Sequence, residues 1–409
     1  MKMKYNILGL TLLAVAVLSC EKETSPEQAE RFIKFYGDYL VDQAYDLAAL
    51  DDGGFAICGV GTLPDLGERM MLILTDEYGN LRSGFPKYYP EDDLDMETAG
   101  HAVVPIRGGQ GGFFLAGTIN RPLEGSLAMQ KDIFLVKVSS SGAESWIKTY
   151  GSVFDEVVLS AAPGLSSGFT LAGTRIKEDG TSALLVMRVE QEGDSIGPPF
   201  PNSNVYNNNS ANFILNAGDR YICASTYNKP RDATGTTNAT DIWALSFGDD
   251  LSPNAQRLTS GASDEKATCV IEDDQNLFLV LGNRNISGRS EIVVHQIETN
   301  DALSITNSVL LTTISESDVD LTGERMVKTR DGRYAIAGTR EANGDRQIFL
   351  QFITSDYNPE KQIIFGAAGD QAGADIVLPE DGGMVLLGTN RYEESSMISL
   401  IRTNDTGDL

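Results

Sequence analysis

The chain predicts an all-β fold: a seven-bladed β-propeller of four-stranded antiparallel blades, the last completed by the N-terminal strand. Three observations predict it. One short motif recurs seven times at near-even spacing, no stretch carries a sustained helical period, and the strand missing from the last copy appears at the other end of the chain.

The motif is a turn of Asp, Gly, Asn or Ser, then four or five apolar or aromatic residues, then a small residue, usually Gly. It reads Asp52-Gly-Gly-Phe-Ala-Ile-Cys-Gly59 and Gly111-Gly-Phe-Phe-Leu-Ala-Gly117 in the first two copies. Ser167 to Gly173, Gly218 to Ala224, Gln275 to Gly282, Asp331 to Gly338 and Asp381 to Gly388 follow. The closing small residues stand 50 to 58 positions apart, the length of one four-stranded blade with its loops. A strand-like segment precedes each copy, such as Glu156 to Ala162, and the Asp/Gly turn makes a hairpin because these residues tolerate positive φ. A third strand follows, such as Asp132 to Val138, and then an edge-like fourth, such as Ser145 to Tyr150. These segments are rich in β-branched and aromatic residues, and the inner ones are nearly all apolar, as sheets packed on both faces require.

The seventh copy ends with its third strand, Met397 to Arg402. Arg31-Phe-Ile-Lys-Phe-Tyr-Gly37 matches Ser145-Trp-Ile-Lys-Thr-Tyr-Gly151, so the N-terminal segment is expected to supply the fourth strand and close the ring. Closure removes the open edge that invites aggregation. Residues 30–409 therefore form the propeller.

Ahead of it, Lys2 and Lys4 precede an apolar run, Ile7 to Leu18, too short to span a bilayer comfortably. The run ends in Val17-Leu18-Ser19-Cys20 and resembles the lipobox of bacterial lipoproteins. The resemblance implies a signal peptide over 1–19, lipidation of Cys20 and a polar tether over 20–29. Segments such as Tyr150 to Glu156 leading to Ser167 to Thr174 resemble the bacterial seven-bladed propeller repeats of the SBBP and delta-60 type, and the combination resembles surface lipoproteins of Bacteroidetes. What the resemblance implies is a lipid-anchored outer-membrane protein, facing either the cell surface or the periplasm.

A formal net charge of -26 excludes nucleic acid as a partner, since phosphate binding needs a basic face. Cys58, Cys223 and Cys269 sit in apolar runs with no metal-ligand spacing, so they read as core residues. The sequence offers no G-x-S-x-G, P-loop or H-E-x-x-H, and neither a cofactor nor a metal is expected. His101 and His295 read as structural. An Arg recurs just after the small residue: Arg121, Arg175, Arg284, Arg340 and Arg391, with Tyr227 in the corresponding loop of the fourth copy and Tyr392 beside the last. Forked guanidinium donors and aromatic faces suit carboxylates and sugar rings, so these seven are the candidate ligand-binding residues. Acidic residues such as Asp155, Asp264, Asp320 and Asp370 recur on neighbouring loops, where they would pair with the arginines.

The expected function is a non-enzymatic binding or interaction module, not an enzyme, that takes a small polar ligand or glycan. Its expected partners are an outer-membrane nutrient transporter or envelope complex. The competing expectation is a carbohydrate-active enzyme, a lyase or hydrolase working through carboxylates such as Asp155 and Asp320.

Overall fold

A computed structural model describes residues 30–37, 40–91, 96–108, 111–122, 128–178, 180–196, 209–228, 240–252, 254–259, 263–366 and 369–409. The signal segment, Cys20 and the tether lie outside them. The described residues form strands, turns and bends with no helix.

The strands pair in chain order into successive antiparallel sheets. The first holds β2 (Asp42–Ala49), β3 (Phe55–Leu63), β4 (Gly67–Thr75) and β5 (Lys87–Tyr89). The next holds β6 (Thr98–Pro105), β7 (Phe113–Pro122), β8 (Met129–Val138) and β9 (Glu144–Tyr150). A three-stranded sheet follows: β10 (Asp155–Pro163), β11 (Phe169–Ile176) and β12 (Ser182–Val189). Then come β13 (Asn209–Asn216), β14 (Tyr221–Asn228), β15 (Thr240–Phe247) and β16 (Asn254–Arg257). The following sheet is β17 (Asp264–Asp274), β18 (Leu277–Ile286), β19 (Arg289–Thr299) and β20 (Ile305–Ile314). The last sheet has eight strands. It joins β21 (Val319–Lys328), β22 (Tyr334–Ala342), β23 (Asp345–Ile353) and β24 (Pro359–Phe365) to β25 (Asp370–Val377), β26 (Met384–Tyr392), β27 (Ser395–Thr403) and β1 (Phe32–Tyr36). One parallel bridge, Arg346 to Asp370, links its two halves.

The N-terminal strand pairs antiparallel with the last strand, Phe32 opposite Arg402 and Tyr36 opposite Ile398. Phe32 and Tyr36 are buried there, and the Tyr36 hydroxyl donates to the Gly79 carbonyl at 2.6 Å. The start of the chain is also tied to the end beyond β1. Leu47 N donates to Asp375 Oδ2 at 2.9 Å, and Ser396 Oγ to the Asp42 carbonyl at 2.6 Å.

A shared irregularity explains the motif's closing Gly. The first strand of each unit slips register by one residue, leaving Tyr45, His101, Leu159, Asn212, Thr268, Glu324 and Ala374 unpaired in β2, β6, β10, β13, β17, β21 and β25. Such bulges bend the strand and redirect the extra side chain. The closing glycine lies opposite the residue just before the bulge, as with Gly117 opposite Gly100 and Gly338 opposite Gly323. A Cβ at either glycine would collide with a first-strand carbonyl, of Ala99 or Thr322. Close approach, not unusual φ, selects glycine here. In the fourth copy this register position belongs to Ser225, one residue beyond Ala224. Its Oγ donates to the Ser210 carbonyl at 2.8 Å, the first-strand carbonyl that faces the glycine in the other copies.

The Thr after the glycine joins neighbouring sheets. Gly373 N donates to Thr339 Oγ1 at 3.1 Å and Ala44 N to Thr389 Oγ1 at 3.3 Å, with Asn283 Oδ1 accepting from Gly323 N at 2.8 Å in the same role. Apolar clusters fill the space between sheets, as where Cys58 and Leu72 meet Leu115 and Phe134. Cys58, Cys223 and Cys269 are buried free thiols, and burial pushes Cys223 and Cys269 up to about 12.

Candidate functional site

The seven bulged residues line one cavity of about 570 Å³. It lies at the beginnings of the first strands and the ends of the second, where Gln43, Lys131, Lys266, Thr339, Arg346 and Thr389 complete its wall. The bulges on β2 and β6 put the two titratable rings side by side: Tyr45 and His101 have centroids 4.9 Å apart, tilted by 56°. His101 Nδ1 lies 2.5 Å from the Val158 carbonyl. A carbonyl only accepts, so Nδ1 carries the hydrogen and Nε2 keeps its lone pair. Burial pushes the His101 pKa down, against the Val158 bond, with Lys131 adding to the lowering. The imidazole is thus a neutral base at neutral pH. Burial pushes the Tyr45 phenol up, with Glu68 adding to the effect, which keeps it a proton donor. A base and an acid in contact at a cavity wall are the minimum for proton-transfer chemistry.

The floor is ionic. Arg325, one residue past the β21 bulge, places Nη2 3.8 Å from Asp46 Oδ1 and Nε 3.5 Å from Asp375 Oδ1. Its guanidinium stacks on Phe213 at 4.4 Å. Asp46 and Asp375 are themselves one residue past their bulges, and each accepts a backbone N–H, from Val103 at 2.7 Å and Leu47 at 2.9 Å. Burial pushes both carboxyls above the ordinary range while Arg325 pulls them back. Glu324 is the sole carboxylate among the described cavity-lining residues. Burial pushes it up, opposed by Lys266, Arg325 and Arg346. Arg346 Nη1 lies 3.0 Å from Asp370.

The sequence candidates stand elsewhere. Arg121 pairs with the buried Asp132, Arg175 with Glu156 at 3.1 Å, Arg284 with Glu291 at 2.6 Å, Arg340 with Glu316 at 2.5 Å and Arg391 with Asp370 at 4.0 Å. The Tyr227 ring packs on Trp243 at 4.9 Å, and Tyr392 is exposed at the end of β26. None of these seven lines the cavity. Asp155, Asp264 and Asp320 accept backbone N–H groups of the preceding sheet, from Lys131 at 2.9 Å, Thr240 at 3.1 Å and Ser290 at 2.7 Å. These three carboxylates are joints between sheets. His295 is buried, its Nε2 without a partner among the described residues, and burial lowers it to about 4.

No family model and no curated protein matches the sequence. Solved structures share the fold. A polysaccharide lyase, a PL25 ulvan lyase, is similar at 10% identity over 91% of this chain and 96% of its own, with a TM-score of 0.52. The extracellular region of plexin A4 is similar at 6% identity over 90% of this chain and 51% of its own, TM-score 0.52. A GH43 endo-arabinanase from Bacillus licheniformis is similar at 12% identity over 68% of this chain and all of its own, TM-score 0.37. The chain is thus an all-β, propeller-like protein of multiple four-stranded antiparallel sheets. The expectation of a non-enzymatic binding module is corrected: the fold it was read from is shared with a protein described as a polysaccharide lyase. That expectation also set His101 aside as structural, because one sequence position does not reveal the tyrosine packed beside it.

Proposed function

We propose that this chain is a carbohydrate-active enzyme, a seven-bladed propeller closed through β1, with its active site at the cavity of Tyr45 and His101. The observation that carries the reading is the neutral imidazole and protonated phenol in ring contact on one wall of an open, polar cavity. The fold shared with a protein described as an ulvan lyase supports it. His101 serves as general base and Tyr45 as general acid. The seven bulges support the blade count, since each marks one first strand turned toward the same cavity. In this reading Cys20 carries the lipid anchor that holds the enzyme at the outer membrane, beside polymers too large to enter the cell.

The test incubates the purified chain with neutral and acidic polysaccharides and counts new chain ends. We expect cleavage of at least one polymer, reduced about 100-fold or more in His101→Ala and Tyr45→Phe with unfolding temperatures unchanged. Undiminished cleavage by both variants, or new ends on no polymer, overturns the reading.

A further inference from the structure

The described residues leave the cavity a single opening. Its wall is built by the first strands of all seven units, each contributing its bulged residue. Every neighbouring pair of these strands is tied across the wall by a hydrogen bond or an ion pair. His101 bonds the Val158 carbonyl, for example, and Asn212 Nδ2 donates to the Ala267 carbonyl at 2.6 Å. A wall tied all round has no slot through which a chain could leave sideways. The floor closes the channel beneath. Arg325 reaches from β21 to four other first strands: it pairs with Asp46 on β2 and Asp375 on β25, stacks on Phe213 of β13 and donates to the Thr268 carbonyl of β17 at 3.5 Å. Asp46, Phe213, Arg325 and Asp375 each stand one residue past a bulge, so this layer lies directly below the bulged side chains. What remains open is the mouth at the beginnings of the first strands.

Tyr45 and His101 stand three residues into β2 and β6, about 10 Å inside the strand beginnings at roughly 3.3 Å per residue. An internal segment of a polymer could reach that depth only by descending, turning and leaving through the mouth it entered, two lengths of glycan side by side. A cavity of about 570 Å³ is of the size that holds one small ligand, a short oligosaccharide and not a doubled chain. A free end has only to thread in once. Resting on the enzyme reading above, we infer that the cavity receives the end of a glycan chain, so that its substrates are chain termini and short oligosaccharides rather than polymer interiors. The terminal sugar carries a hydroxyl where an internal sugar carries its next neighbour. At the inner end of the cavity that hydroxyl meets Glu324, an acceptor, and Arg325, a donor.

The experiment offers the full chain linear arabinan, xylan, polygalacturonate and polyglucuronate, each at full length and shortened by partial acid hydrolysis. New chain ends, the sizes of the released products and the mean length of the remaining polymer are followed together. From the first bonds broken, the products should be short oligosaccharides of one or two sizes, while the remaining polymer keeps its length. Below saturation the rate follows the number of chain ends, so shortening a polymer to about a tenth of its length should raise the initial rate about ten-fold at equal mass. An immediate fall in mean polymer length, or a rate indifferent to shortening, overturns the inference and leaves the enzyme reading standing. No new ends on any substrate, long or short, overturns both.

Discussion

Asp46 and Asp375 come from strands at opposite ends of the chain to meet the cavity-lining Arg325, and both are held above the ordinary carboxylate range by burial. For Asp375 the folded value lies near 8 against 3.8, so the folded chain holds this proton more tightly than the unfolded one. Its contribution is complete below the unfolded value and is lost as pH rises toward the folded one. Stability should therefore decline between about pH 4 and 8. Asp375→Asn keeps an oxygen for the Leu47 amide and removes the titration, so its stability should gain on that of the native chain across that interval. Thermal unfolding of both proteins over that pH series checks it, and parallel curves would refute it. At this scale the site was poorly legible. Tyr45 and Lys266 have no motif around them, and Arg325 announces nothing without Asp46, some 280 positions away. The arginines that did stand out recur because most of the sheets use them in ion pairs, and repetition marks framework.

Among the elements, the first strand of each unit sets the geometry. Its bulge turns one side chain into the cavity and brings its carbonyl against the glycine of the second strand. Gly338→Ala would press a methyl group onto the Thr322 carbonyl, where the nearest atoms are all backbone of Thr322 and Gly323 and no flexible side chain can yield. We expect a loss of about 1–3 kcal/mol by denaturant unfolding. The glycine was plain in the sequence because its demand is local, space against one carbonyl, whereas the role of the Thr after it shows only where its hydroxyl meets the neighbouring sheet. The bulge left no such mark. Its residue varies from Tyr to Ala, and only its distance before the glycine or Ser225, 13 to 16 positions, could have flagged it. Burial pattern obscured it further, since the strands flanking it are apolar on both faces.

Over the whole molecule, the sheets follow one another as the repeat implies, and β1 lies on β27 in the register expected of a fourth strand. Removing residues 30–37 would uncover the edge of β27 and the buried faces of Phe32 and Tyr36. Such a truncated chain should unfold at lower temperature and associate through the freed edge, as light scattering and size-exclusion chromatography would show. Retention of a monomeric, equally stable protein would mean that β1 is dispensable. This level was the most legible because it depends on the period and the count of strands, both of which survive substitution of almost any single residue.

The bulge positions carry a consequence for how this protein can change. Glycine, threonine and the carboxylate joints hold the frame, while the bulge residues range from Leu159 and Ala374, which offer the frame no side-chain hydrogen bond, to His101 and Asn212, which each bond a carbonyl of the next sheet. Together they form a combination lock whose case is fixed and whose tumblers turn separately except where two touch, as Tyr45 and His101 do. New chemistry at the cavity needs substitutions at a few addresses known in advance, each on the first strand of a different unit.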